Sequence, residues 1–523
     1  MKRTLKVIIG CWVAAGLVLP AAAEVTQDDL RLLGLMFRNR YTPYAQQSNA
    51  LPEVKAVAEG LNAARDAEAD PAGRYRTLTR GLAMMIAGAW NEGLEVSTLM
   101  DMRIPAKLAE PGQTLTARVF PVCPPSQPIR EHYMVYLWLQ DEAGSAVGER
   151  SHMHYDELVE EKFPIEIPAD APAGRYGIRY MIEPHERSTS GPLLTGTRYV
   201  FVVPGVRTRV EKLAGALARI EAGQAAGRTE RQALALSSIR WLLETYQRAL
   251  EADVPGPYSG HPIFMTSIMA EAGMALERLD FLTELTLAEE LAVALTRGED
   301  PLATRTGDMR LAYVSAVDSE RVPFRLFVPS TFDPARSYPL VVALHGAGGD
   351  ENAFMDRYNG TFKANGERRG YLLAAVNGRG PYGGYRGPSG QDVMDVTDLV
   401  QRLWPVDKSR TYLTGHSMGG GGTVSVGFDH ADRFAALAPI AGFFGGSAQL
   451  AKAKEMPLLI AQGDQDALVP VESARRFHTA AQELGMPHVK YIEKAGVDHI
   501  AIPIHVMDDI FDWFDAHAKP GTP

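Results

Sequence analysis

Short runs, most of them wholly apolar, recur through the second half of the chain, at 340–344, 371–376, 411–414, 435–440, 458–461 and 489–492. Between and after them, apolar residues return at a helical period over 393–404, 418–430, 471–484 and 503–516. A strand that reads apolar on both of its faces is buried on both, as in a parallel sheet covered by helices above and below. Ahead of these, Arg310-Leu311-Ala312-Tyr313-Val314 and Phe324-Arg325-Leu326-Phe327-Val328 flank Asp318-Ser319-Glu320 and predict a hairpin. The pattern predicts one α/β unit over 305–523, with a mostly parallel sheet and helices on both faces.

The first half reads differently. Residues 24–103 carry helical patterns, opened by Leu30, Leu32, Leu33, Leu35 and Met36 and continued by Leu78, Leu82, Ala83, Met85, Ile86 and Trp90. Over 104–205 the character turns to strand. Runs rich in Val, Tyr, Phe and Thr at 115–120, 133–139, 176–182 and 197–203 alternate with Pro and Gly, the pattern of an antiparallel β-sandwich of immunoglobulin-like kind. Residues 206–304 return to helix through Leu213, Leu217, Ile220, Leu242, Tyr246 and Leu250. No repeat of propeller-blade length is visible. Lys2, Arg3 and Lys6 precede an apolar run at 7–19, then Pro20 and Ala21-Ala22-Ala23. This is the layout of a signal peptide over 1–23, cleaved after Ala23, and predicts a secreted or periplasmic protein with no stable membrane insertion once the signal is removed.

Composition narrows the classes. The 523 residues carry 53 Lys+Arg against 63 Asp+Glu, a formal charge of -10, which is the wrong sign for a nucleic-acid binder. Hydrophobic content of 46% with 22% charged residues excludes a largely disordered chain. The 2 cysteines, Cys11 and Cys123, exclude a disulfide-stapled or cysteine-rich metal protein, and removal of the signal leaves Cys123 alone. His152 and His154 stand two apart on one strand face, but no third ligand lies nearby in sequence, so no metal site is assigned.

Candidate chemistry sits in the last unit. Gly415-His416-Ser417-Met418-Gly419 matches G-x-S-x-G between an apolar strand and a glycine-opened helix. That setting suits a nucleophile held in a strained turn whose neighbours lack bulk, with its hydroxyl at a helix N-terminus. A serine needs a base, and the base needs an orienting acid, expected in the order Ser, Asp, His. Strand 458–461 runs on to Gly463, followed by Asp464 and Asp466. Asp466 is the better candidate acid, past the turn, and Asp464 the alternative. His499, after the last strand and before the last helix, is the candidate base. His416 reads as packing beside the nucleophile. The loop His345-Gly346-Ala347-Gly348-Gly349 and the residue after the serine offer oxyanion donors, the backbone amides of Ala347 and Met418. In the loop 377–388, Tyr382 and Tyr385 are candidate substrate contacts, and Phe443, after the strand 435–440, a candidate wall of the acyl pocket.

With Pro339-Leu340-Val341-Val342-Ala343-Leu344-His345-Gly346, Arg433-Phe434-Ala435-Ala436-Leu437-Ala438-Pro439-Ile440 and Gly463-Asp464-Gln465-Asp466, these motifs make about two-fifths of the chain resemble the α/β-hydrolases. The nearest branch is that of polyhydroxybutyrate depolymerases, feruloyl esterases and prolyl-oligopeptidase-like enzymes. The chain also resembles secreted esterases with an immunoglobulin-like domain ahead of the hydrolase. The resemblance implies a serine esterase or peptidase that uses no cofactor and takes a small or polymeric ester. True prolyl oligopeptidases carry a propeller in front, so the ester reading leads and a serine peptidase is the alternative. A polymer-binding protein with a vestigial hydrolase is the third. A homo-oligomer is left open.

Overall fold

A computed structural model gives the structure of the protein and describes residues 25, 27–63, 70–130, 132–155, 160–184, 194–223, 227–251, 281–442 and 447–519. The signal-peptide reading and Phe443 lie outside the described residues. Strands are numbered β1–β16 in chain order. Helices Gln27–Tyr44, Pro52–Ala63, Pro71–Ala87 and Glu92–Leu99 come first and enclose their own apolar cluster of Leu33, Phe37, Tyr75, Leu78 and Leu82. Two sheets follow. One has the order β1-β3-β6, built from β1 (Met100–Arg103), β3 (Thr114–Pro121) and β6 (Glu161–Glu166). The other has the order β2-β8-β7-β4-β5, built from β2 (Leu108–Ala109), β4 (Tyr133–Gln140), β5 (Ala146–Tyr155), β7 (Gly174–Pro184) and β8 (Leu194–Val202). Residues of both, such as Met102, Val119 and Ile165 with Val135, Ile178 and Val200, bury one shared core. A buried Asp101–Arg198 ion pair at 2.7 Å ties β1 to β8 across it. β1 begins before the change of character expected near 104, because its Met-Asp-Met-Arg sequence carries no strand signature of its own.

Helices Val206–Ala222, Glu230–Glu251 and Phe281–Thr296 lead into the last unit. There β9 (Gly307–Val314) and β10 (Arg321–Val328) pair antiparallel, as the hairpin pattern predicts. The remaining strands, β11 (Tyr338–Leu344), β12 (Leu372–Val376), β13 (Val406–His416), β14 (Ala436–Ile440), β15 (Leu458–Gly463) and β16 (Val489–Lys494), pair parallel with one another. The order across the sheet is β16-β15-β14-β13-β11-β12-β10-β9. The expected fold class, α/β with a mostly parallel sheet and helices on both faces, is what the structure shows.

Alternation within β11 shows how the two faces are served. Leu340, Val342 and Leu344 face one apolar cluster with helices Pro388–Leu403, Met418–Asp429 and Val471–Glu483, while Val341 and Ala343 face another with Thr361–Arg369 and Ile502–Asp515. The first cluster also takes in the three helices of 206–296 together with Leu108, Phe201 and Val203, so helical segment and sheet share one core. The chain passes from β11 to β12 on one side and then to β13 on the other. This reversal places the ends of β11 and β13 at a topological switch point, where such sheets bind ligands. Among the described residues no helix is long and apolar enough to cross a membrane.

Candidate active site

β13 ends at His416, and the chain turns at Ser417 into the helix Met418–Asp429. Ser417 has φ 58 and ψ -114, a region that non-glycine residues avoid at a cost of about 1–3 kcal/mol. The amide of Ser417 donates to Ile440 at 2.9 Å, and its carbonyl accepts from Gly421 at 3.1 Å, so strand and helix hold the turn from both sides. Two glycines make room for it. A Cβ on Gly415 would run into the backbone of Gly419, and one on Gly419 into the carbonyl of Leu344. Ser417 itself is 9% exposed.

At the end of β15, Asp466 meets the loop between β16 and the last helix. Its Oδ2 accepts from His499 Nδ1 at 2.7 Å and from Gln462 Nε2 at 2.8 Å. Its Oδ1 accepts the amides of Leu468 at 2.9 Å and Val469 at 2.8 Å. Four donors on one buried carboxylate suit a group that only accepts. Asp464, the alternative acid, turns away and accepts the amide of Gly496 at 2.7 Å. His499 is buried, and its ring lies against that of His416 with centroids 4.8 Å apart. Among the described residues no hydrogen bond joins the Ser417 hydroxyl to His499, a link that in free enzymes is often long and tightens with substrate bound.

The loop after β11 closes on the serine. A Cβ on Gly346 would stand 3.2 Å from Ser417 Cβ. The amides of Gly348 and Gly349 are taken by Pro381 at 2.8 Å and Gly346 at 3.0 Å. Among the described residues the amides of Ala347 and Met418 donate to no backbone carbonyl, and both residues are half-buried. His345 braces the loop between the carbonyls of Gly346 at 2.8 Å and Asn377 at 2.7 Å. Behind it Arg310 of β9 pairs with the buried Glu351 at 2.5 Å and with Glu284 of the helix Phe281–Thr296 at 3.3 Å. Burial alone would raise the carboxyl of Glu351, but Arg310 and the Asn377 amide bring it below the usual range. Glu284, where burial outweighs Arg310, is shifted up.

The substrate-loop expectation needs a correction. Tyr385 offers no ring to a ligand: it is 2% exposed, its ring fills the space beside Gly422, and its hydroxyl donates to the His345 carbonyl at 3.2 Å. Burial pushes that hydroxyl far above the ordinary phenol range. Tyr385 is a prop beneath the loop, and periodicity could not tell this from a surface ring because its neighbours are all glycine or polar. Tyr382 is half-buried and packs against the apolar cluster of the N-terminal helices. His416 also differs from simple packing. It accepts at Nδ1 from the Tyr358 hydroxyl at 3.0 Å and donates from Nε2 to the His499 carbonyl at 2.8 Å. Nothing in the sequence signals Tyr358 or Gln462 in these places. Among the described residues no cluster of His, Cys, Asp and Glu has the arrangement of a metal site.

No protein-family model matches the chain. Solved structures resemble part of the chain. A thermostable esterase is 23% identical over 40% of this chain and 63% of its own, less than two thirds of its length, with a TM-score of 0.35. A fluorophosphonate-binding serine hydrolase of Staphylococcus aureus is 19% identical over 40% of this chain and 98% of its own, with a TM-score of 0.36. The feruloyl esterase module of Clostridium thermocellum is 15% identical over 41% of this chain and 90% of its own, with a TM-score of 0.36. These likenesses concern the fold.

Proposed function

We propose that the protein is an exported serine hydrolase of carboxylic esters. The observation that carries this reading is the buried 2.7 Å bond from His499 to Asp466 beside the strained turn of Ser417. In this mechanism Ser417 Oγ attacks the ester carbonyl carbon while His499 Nε2 takes the hydroxyl proton. Asp466 holds the imidazole by Nδ1 and stabilises the cation that forms. The amides of Ala347 and Met418 hold the oxyanion, each worth about 3 kcal/mol in the transition state. The tetrahedral intermediate collapses as the imidazolium gives its proton to the leaving alkoxide, and the acyl group stays on Ser417. Water, deprotonated by His499, then releases the acid and restores the hydroxyl.

A fluorophosphonate probe tests the nucleophile. Labelling at Ser417, lost in Ser417→Ala with an unchanged unfolding midpoint, is the expected result; an unlabelled native protein would indicate a vestigial site. A panel of short alkyl, aryl, feruloyl and polyester substrates beside peptide amides tests the ester reading. Faster turnover of the amides would make the protein a peptidase. Export with cleavage after Ala23 is tested by N-terminal sequencing of the protein recovered from outside the cytoplasm.

A further inference from the structure

The base of a proton relay must be held at both of its ends, by side chain and by backbone. His499 belongs to a loop between β16 and the last helix, and a loop has no sheet ladder to fix it. Its imidazole is tied at Nδ1 by Asp466. Its own carbonyl is tied by His416 Nε2 at 2.8 Å. A carbonyl can only accept, so His416 Nε2 must carry the hydrogen. His416 Nδ1 is then an acceptor, and the group facing it at 3.0 Å is the Tyr358 hydroxyl, which can donate. Every member of Tyr358–His416–His499 therefore has one self-consistent role, with the neutral imidazole as a single tautomer. Burial and the neighbouring His499 lower the pKa of His416 well below the ordinary range, in keeping with that neutral form.

Placement gives this chain of bonds its consequence. His416 is the last residue of β13, pairs with Ile440 of β14, and precedes Ser417 directly. Its ring is 5% exposed, meets Tyr358 edge-on at 5.7 Å and lies against the His499 ring at 4.8 Å. One rigid side chain thus spans from the nucleophile's own strand to the backbone of the base. Tyr358 is itself held at φ 56 and Asn359 at φ 54, so the donor sits in a backbone shape that the surrounding packing must enforce.

We propose that His416 is a positioning residue of the proposed ester hydrolysis: it sets the separation of Ser417 Oγ and His499 by clamping the His499 carbonyl, with Tyr358 fixing its tautomer. The inference rests on the reading of Ser417, His499 and Asp466 as the acyl-transfer machinery. It differs from a packing role in needing a hydrogen at one ring position. His416→Gln keeps a donor near the place of Nε2, whereas His416→Phe keeps the ring and its bulk without the donor.

The experiment measures fluorophosphonate labelling rate, and kcat and KM on a nitrophenyl ester per titrated active site, in native protein, His416→Phe, His416→Gln, Tyr358→Phe and Ser417→Ala. Misplacing the base by a fraction of an ångström should cost about tenfold or more in kcat and labelling rate for His416→Phe, with KM nearly constant. His416→Gln should recover most of that loss, and Tyr358→Phe should fall in the same direction by less. Equal kcat per active site in His416→Phe and native protein, or equal losses in the Phe and Gln variants, overturns the positioning role. Those outcomes leave Ser417 as nucleophile untouched as long as Ser417→Ala abolishes labelling. Labelling that survives in Ser417→Ala overturns the acyl-transfer reading and the clamp with it. If His416→Phe fails to fold, Tyr358→Phe decides alone: a native labelling rate rejects the clamp.

Discussion

Asp466 does two jobs with one carboxylate. Its Oδ1 shapes the turn by accepting the amides of Leu468 and Val469, and its Oδ2 holds His499 and Gln462. An amide in its place keeps one acceptor oxygen and puts an NH2 against groups that are themselves donors. Asp466→Asn should lower kcat/KM on a nitrophenyl ester by about 10⁴, the order seen when the acid of such a triad is made neutral. Asp464→Asn should stay within about threefold, since its oxygen serves the Gly496 amide, for which an Asn oxygen substitutes. The reverse ranking would exchange their assignments. His416 carries a second prediction at this scale. Its pKa is lowered by burial and by His499. Above the ordinary histidine pKa of ~6.5 neither folded nor unfolded chain binds its proton; below it only the unfolded chain does. Stability therefore falls as pH drops below that value, with a slope of up to about 1.4 kcal/mol per pH unit from this residue, until the folded form also titrates. Urea unfolding of native protein and His416→Gln at several pH values checks this: the native curve should lose stability more steeply between about pH 6.5 and 5, and parallel curves would contradict it.

At the scale of elements, what was legible depended on whether an element's neighbours leave a mark in its own sequence. The central strands did. β11, β12, β14 and β15 are buried throughout, so they read as apolar runs, and the serine motif stands out where one such run meets glycines. The helix Thr361–Arg369 did not. Phe362 is its one large buried apolar residue and its anchor in the core, and the rest of its face to the last helix is polar, with Arg368 and Arg369 reaching Asp508 and Asp512. β6 hid for another reason: Pro164 sits within Glu161–Glu166, which argues against a strand unless the strand lies at an edge, and β6 lies at the edge of β1-β3-β6. The clamp on His499 was illegible because its partners, Tyr358 and His416, are 58 residues apart and neither belongs to a recognisable motif pair. The Arg310 cluster was equally silent, being a contact among a strand, a loop and a helix. Removing its cation leaves Glu351 and Glu284 buried without their partner. Arg310→Met should therefore cost about 3–5 kcal/mol in urea unfolding, a larger loss than any exposed pair such as Arg402–Glu230 gives. A loss below 1 kcal/mol would mean the two carboxyls accept protons at little cost.

For the whole molecule, the pattern along the chain separates 206–304 from the sheet that follows, whereas the packing joins them. The helices of 206–296 cover β9 and β10 with Leu234, Ile239, Leu242 and Leu285 in the same apolar cluster as Leu311, Phe324 and Leu326. Polar contacts lock the same interface: Ser238 Oγ accepts the amide of Ala312 at 2.9 Å, and Arg231 donates to the Leu403 carbonyl at 2.8 Å. Among the described residues the link to the β-sheets ahead is narrower, and includes Leu108, Phe201 and Val203, the Lys107 amide on the Ala249 carbonyl at 2.9 Å and the Arg207 amide on Glu110 at 3.0 Å. Cutting at 305 would strip the cover from a broad apolar face, the kind of surface that drives aggregation, while cutting at 206 would, among the described residues, uncover a smaller one where Leu108, Phe201 and Val203 pack, together with the side of Tyr382 that meets the N-terminal helices. A fragment of 206–523 should therefore run as a soluble species in size exclusion and keep fluorophosphonate labelling at Ser417, whereas 305–523 should aggregate or lose labelling. If 305–523 alone proves soluble and labels at the native rate, the helices are a separate module and the shared core contributes little to the stability of the sheet.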